Sequence, residues 1–162
     1  MHLIDILLPE LRIEAGITRQ VLARMPQESW AWRPHDRSRT LGEVGAHIAN
    51  LPGLFIGYLS SDELDRESVE LPGLNRVSEV LDTFEKNIQR AESVLSQLSD
   101  ERLLESWRYR YGARVVFEMP RFVVVRTTAL NHVIHHRGQL SLYLRLLNVP
   151  VPAIYGPTAD ES

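Results

Sequence analysis

The chain contains no cysteine. Disulfides, thiolate metal ligands and a cysteine nucleophile are therefore excluded. Any metal must be held by nitrogen and oxygen, and any thiol in the chemistry must come from outside the protein. No uninterrupted apolar run reaches about eighteen residues, so no membrane span is expected. The start Met1-His2-Leu3-Ile4-Asp5 lacks a positively charged leader and places an acid inside its apolar stretch, which argues against a signal peptide and for a cytoplasmic protein. An excess of positive charge is also missing. The formal net charge is −3, unlike the basic balance of a nonspecific nucleic-acid binder. Lysine is nearly absent, with Lys86 alone against seventeen arginines. Internal repeats and low-complexity tracts are lacking as well.

What is present is ordinary for a soluble domain: 162 residues, 44% hydrophobic and 24% charged. This is enough for one domain, residues 1–162, with a sizeable core. Helical periodicity dominates. A first segment runs from about Leu3 to Arg24, with Pro9 near its start and Met25-Pro26 as its stop. A second opens at Ser38-Arg39-Thr40, where Ser38 or Thr40 can cap it. It continues to about Leu59, with Pro52 predicting a kink that frees carbonyls one turn after His47. A polar connection covers Ser60 to Asn75. A third segment, about Val77 to Leu98, keeps apolar residues on one face and ends at Ser99-Asp100. Trp107 to Met119 reads as a β-hairpin turning at Gly112, with aromatics on one face and arginines on the other. Interleaved arginines and aromatics can also bind nucleic acid, but the hairpin is the simpler reading. Pro120 opens a fourth helix, which ends near Leu147 before Asn148-Val149-Pro150. Val151 to Ser162, rich in proline, should lie across the surface.

The richest local signal is Asn131-His132-Val133-Ile134-His135-His136-Arg137-Gly138-Gln139. A helix turns about 100° per residue, so His132 and His136 stack on one face. That face also carries Phe122, Val125, Ala129, Val133, Leu140, Tyr143, Leu144 and Leu147; His135 falls toward solvent. Imidazoles on a core face need partners for their ring nitrogens, and a divalent metal is one such partner. A third ligand is offered by His47, which shares a helical face with Val44, Leu51, Leu54, Phe55 and Tyr58. His2 at the terminus and His35 in a turn-like stretch are unsuited. Glu43, one turn before His47, can support a ligand or act as a base, or can simply be an acid at a helix N-terminus. Gln139 and His135 can orient a ligand or line the entrance, and Asn50 is comparably placed. Arg137 can pair with an acid across the bundle, and Trp30 and Trp32 read as packing anchors.

These residues resemble the DinB/YfiT-like metalloenzyme family, the DinB superfamily. The resemblance rests on Asn131-His132 followed by His135-His136-Arg137-Gly138-Gln139, on the His47 helix, and on the closing Pro152-Ala153-Ile154-Tyr155-Gly156-Pro157-Thr158-Ala159-Asp160-Glu161. It implies an all-α four-helix bundle, with the β-hairpin as a short insertion before the last helix, and commonly a homodimer. It also implies one divalent metal on His47, His132 and His136; imidazole ligands suit zinc, nickel or iron. Relatives include transferases that use a low-molecular-weight thiol, and others that look like hydrolases. The expectation is therefore a metal-dependent transferase or hydrolase acting on a small molecule, with neither nucleic acid nor membrane as partner. The alternative is a noncatalytic metal-binding or stress-response dimer.

Overall fold

The computed structural model describes residues 2–161. Four long helices form the bundle: α1 (Ile4–Leu22), α2 (Leu41–Phe55), α3 (Val77–Leu95) and α6 (Asn131–Leu146). Two shorter ones, α4 (Asp100–Leu104) and α5 (Arg121–Val124), flank strands β2 (Ser106–Tyr111) and β3 (Arg114–Pro120), while β1 (Glu63–Asp65) lies between α2 and α3. Helix α2 packs against α3 and α6, and α1 packs against the same two. The chain therefore steps across the bundle between α1 and α2, and again between α3 and α6. This order makes the His47 helix and the His132–His136 helix neighbours.

Local chemistry sets the start of α2. Thr40 and Glu43 form a reciprocal capping box: the Glu43 N–H donates to Thr40 Oγ1, and the Thr40 N–H donates to the Glu43 carboxylate. Two otherwise orphaned backbone donors are thus satisfied. Upstream, the Trp30 ring lies where any Cβ at Gly42 would stand, which requires glycine there. Helix α2 runs on through Pro52 to Phe55. The neighbouring Ala49 carbonyl accepts from Asn87 of α3, on the side of the helix away from the histidines. At the other end of the chain, Asn148 takes a positive φ of 58°, the left-handed conformation that closes a helix.

The structure corrects the sequence expectations in four places. The hairpin is part of a three-stranded sheet, because β1 pairs parallel to β2. Three residues with acids at both ends carry no detectable alternation, and β1 exists only where β2 is there to receive it. Helix α3 ends a turn early, and Ser99 starts a helix instead of ending one, its Oγ accepting the Arg102 N–H. Strand β3 extends through Pro120, so the last helical run begins at Arg121. That run is also not a uniform α-helix: Val125–Leu130 form a π-helical stretch between α5 and α6.

The sheet is asymmetric in the expected sense. Trp107 is fully buried, and Tyr109, Phe117 and Met119 pack against the core. Arg108 pairs with Glu63 and Glu118, and Arg110 with Glu63 and Asp65. An irregularity at Tyr109/Arg110 leaves Val116 without a partner on β2, and Tyr111, Val115 and Val116 are exposed.

Two buried arginines tie the periphery to the bundle. Arg137 on α6 pairs with Glu14 of α1 at 2.7 Å and also donates to Thr18 and the Tyr155 hydroxyl. The Tyr155 hydroxyl also bonds the Glu14 carboxylate, so the C-terminal segment is fastened onto α1. That segment is further held by Asp160 on Arg145 and Glu161 on Arg24; Ser162 lies outside the described residues. Arg121, fully buried, donates to the carbonyls of Leu59, Ser61, Glu105 and Ser106 and to the Asp62 carboxylate. One side chain thus holds the end of α2, the entry to the sheet and the start of α5 together. Truncation would leave those carbonyls buried and unpaired, and Arg121→Ala should cost about 3 kcal/mol or more in urea unfolding. A loss under about 1 kcal/mol would show that water replaces the guanidinium.

Candidate metal centre

His47 enters the bundle interior from α2, and His132 and His136 from α6. Their rings form a triangle, with centroids 5.0 Å apart for His47 and His132, 4.5 Å for His47 and His136, and 4.8 Å for His132 and His136. One nitrogen from each ring lies within 4.8 Å of the others, and among the described residues no carboxylate joins the group. The Nε2 atoms of His47 and His132 are 3.3 Å apart. Two nitrogens held at about 2.05 Å by a tetrahedral ion also sit about 3.3 Å apart, so this pair is spaced as ligands.

The outward nitrogen of His136 is fixed by its own partner. The His136 Nδ1 lies 2.7 Å from Gln139 Oε1. An amide oxygen only accepts, so the His136 proton sits on Nδ1 and Nε2 is free to ligate. The Gln139 amide nitrogen lies 3.1 Å from His135 Nε2, which sets the amide's orientation and leaves exposed His135 as its support. The backbone carbonyl of Thr128, one turn earlier in the π-helical stretch, acts to raise the His132 pKa against the effect of burial. A π-helical turn disturbs the regular carbonyl pairing. Here the hydroxyls of Thr127 and Thr128 accordingly donate to the carbonyls of Val123 and Val124.

Burial sets the protonation of the triad. Desolvation is the main force lowering the pKa of all three imidazoles, and the Arg39 charge adds to it. His47 is lowered to about 3. The Thr128 carbonyl and Gln139 act in the opposite direction on His132 and His136 without reversing the shift. The rings are thus neutral at neutral pH, the state a metal ligand requires. Three converging neutral donors, with the outer nitrogen of His136 braced by Gln139, fit a divalent ion.

The triad borders open space. A cleft of about 290 Å³ reaches His47 and His132 between apolar Leu51, Leu54, Phe55, Leu71 and Tyr109, with Arg39, Asn50 and Arg66 also on its walls. A second hollow reaches His136 and Gln139 past Arg37, Ser38 and Tyr143. Glu43 borders the approach to His47, but its carboxylate bonds the Thr40 N–H at 2.7 Å. Asn50 donates to the Ala46 carbonyl. Trp30 packs over Gly42, and Trp32 meets Tyr143 edge-on at 5.5 Å. His2 and His35 are both far from the triad in role, bonded to Asp100 and to the Arg37 N–H. Sequence reasoning missed Arg39, Arg66 and Tyr109 at this cleft. The first two belong to loop and single-turn segments that have no periodicity to read.

Fold and site together define a helical-bundle protein with a candidate three-histidine metal centre. The DinB family model matches residues 5–162, and the chain belongs to the DinB family. Among curated proteins it is similar to the uncharacterized protein YrdA of Bacillus subtilis (strain 168), 23% identical, covering 98% of this chain and 91% of that one. Among crystal structures, the DinB-like protein YjoA of Bacillus subtilis superposes with a TM-score of 0.74 at 16% identity, covering 93% of this chain and 98% of that one. A DinB-like protein from Bacillus cereus ATCC 10987 gives 0.73 at 23% identity, covering 92% and 95%. At these identities the structures establish the shared fold.

Two outcomes follow from the site's geometry. Unfolded imidazoles titrate near about 6.5, and His47 in the folded protein at about 3. Between these values the unfolded state binds more protons, so metal-free protein loses stability as pH falls through that window; above it these groups contribute nothing. The urea midpoint of metal-free parent should therefore drop more between about pH 7 and about pH 4 than that of His47→Gln. Equal drops would mean that the ring is not held neutral. Gln139→Leu should keep the fold and weaken zinc affinity by about 10- to 100-fold in competition with a chelator; unchanged affinity would remove Gln139 from the ligand's support.

Proposed function

We propose that this DinB-family protein holds one divalent ion, zinc, nickel or iron, on His47, His132 and His136. In this reading it is a metal-dependent enzyme that activates a low-molecular-weight thiol or a water against a small electrophilic substrate, as a thiol transferase or a hydrolase. The observation that carries the reading is the convergence of three neutral imidazoles beside a cleft, with no carboxylate joining them among the described residues. An ion held by neutral imidazoles keeps its full charge and an open position, which lowers the pKa of a thiol or water placed there. The chain's own residues do the rest. Gln139 keeps the proton on His136 Nδ1, which leaves its Nε2 to face inward, and the His132 Nε2 faces His47. Leu54, Phe55 and Tyr109 shield one side of the cleft from water. Absence of cysteine supports an external thiol as the nucleophile.

In the same reading the protein works in the cytoplasm as a homodimer on small molecules. No helix among the described residues is long and apolar enough to cross a membrane. The net charge of −3 and the pairing of Arg108 and Arg110 with acids support a site for small molecules over one for nucleic acid.

The test is turnover with defined metal content. Metal-stripped protein reloaded with zinc, nickel or iron(II) is assayed with several small thiols against 1-chloro-2,4-dinitrobenzene, and separately with an activated ester in water. One metal should restore turnover, and chelation or His132→Ala should return it to background. Stoichiometric metal with no turnover in either assay would leave a noncatalytic metal-binding module.

A further inference from the structure

We propose that the cleft beside the triad takes a small molecule with an anionic oxygen group at one end, bound by Arg39 and Arg66, while its other end reaches His47 and His132. The inference rests on the metal-dependent reading above and extends it by assigning the substrate's charge.

Most arginines of this chain are neutralised by acids, as in Arg12 with Glu92, Arg24 with Glu161, Arg126 with Glu10 and Arg145 with Asp160. Arg39 and Arg66 form no ion pair among the described residues, yet both line the one cleft that also reaches His47 and His132, and no acid lines it. The Arg39 charge also acts on Glu43 at the approach, but neither guanidinium is paired with an acid inside the cleft. Two cations facing a shared hollow make a local positive field in a net-negative protein, and a low-dielectric cleft focuses such a field on an incoming anion.

Both arginines are anchored through their backbones. The Tyr143 hydroxyl of α6 donates to the Arg39 carbonyl at 3.2 Å, which ties the segment before α2 to the histidine helix. Arg66 opens the single turn that follows β1, where the Asp65 carboxylate accepts the Glu67 N–H. One Arg66 nitrogen donates to the Val69 carbonyl at 2.6 Å, leaving the rest of its fork available. Glu43, the acid that borders the approach, is engaged with the Thr40 N–H. Arg39 is also the one cation outside the triad whose field acts on all three histidines, which places it close to them. Planar guanidinium forks match the geometry of carboxylate and phosphate oxygens. Between the charged end and the histidines, Leu54, Phe55, Leu71 and Tyr109 offer an apolar wall suited to a short carbon body. A volume of about 290 Å³ suits a small molecule, at the lower end of the usual range for ligand sites.

The test uses cobalt(II)-loaded protein with two probes, 3-mercaptopropionate and 3-mercaptopropionamide, which share size and thiol and differ in charge. Calorimetry gives each affinity, and the cobalt–thiolate absorption reports whether sulfur reaches the ion. The carboxylate should bind at least about tenfold more tightly at low salt, with the advantage shrinking as salt rises. In R39Q, R66Q and the double variant, the advantage should fall toward unity while the amide binds as before and cobalt content is unchanged. Equal affinity of the two probes in the parent, or a preference that survives in the folded double variant, would overturn the assignment. In both cases the absorption band would persist and the metal-dependent reading would stand. Absence of the band with both probes would show that sulfur does not reach the ion, and would remove the thiol branch of that reading while leaving the hydrolase branch to the ester assay.

Discussion

Three imidazoles pressed together in a half-buried space form the constraint on which the rest of this structure depends. Burial makes each ring costly to charge, so each stays neutral, and a neutral ring has one donor and one acceptor nitrogen to satisfy. For His136 the donor faces outward to an amide oxygen, which turns the acceptor inward. Neighbouring elements follow from this demand. Helix α2 must begin where the Thr40–Glu43 box starts it, or His47 would present a different face. Helix α6 must keep its phase, which Arg137 secures through Glu14 of α1.

The π-helical stretch belongs to the same arrangement. It lies directly before α6 and contains Thr128, whose carbonyl acts on the His132 ring one turn later. Its widened turns are accommodated by the Thr127 and Thr128 hydroxyls, which supply donors to carbonyls one turn back. Irregular helical geometry is thus placed where the functional residues converge, a recurring location for π-bulges.

Much of this was legible in the sequence, for identifiable reasons. The i, i+4 spacing of His132 and His136 and the apolar face around His47 are direct consequences of helical geometry, and they led to the three residues that the fold brings together. Arg137 reads from the sequence as able to pair with an acid across the bundle, and the fold supplies both its burial and the acid, Glu14. The unread parts depend on contacts distant in sequence. Strand β1 is defined by its partner β2. The burial of Arg121 reflects acceptors spread from Leu59 to Ser106, and no local pattern announces them. The π-helical turns also defeat a wheel of fixed period, since Val124 and Val125 are both fully buried. Glu43 was legible as an acid beside His47, and its capping role was available from the Thr-x-x-Glu spacing itself.

The central claim is that His47, His132 and His136 together hold one divalent ion. Elemental analysis of untagged protein tests it most directly, with the parent compared to the His47→Ala, His132→Ala, His136→Ala triple variant after identical exposure to zinc, nickel and iron. The account predicts close to one ion per chain in the parent and none in a folded triple variant. An empty parent, or equal metal in both proteins, would contradict it and leave the histidines as a hydrogen-bonded feature of a helical core.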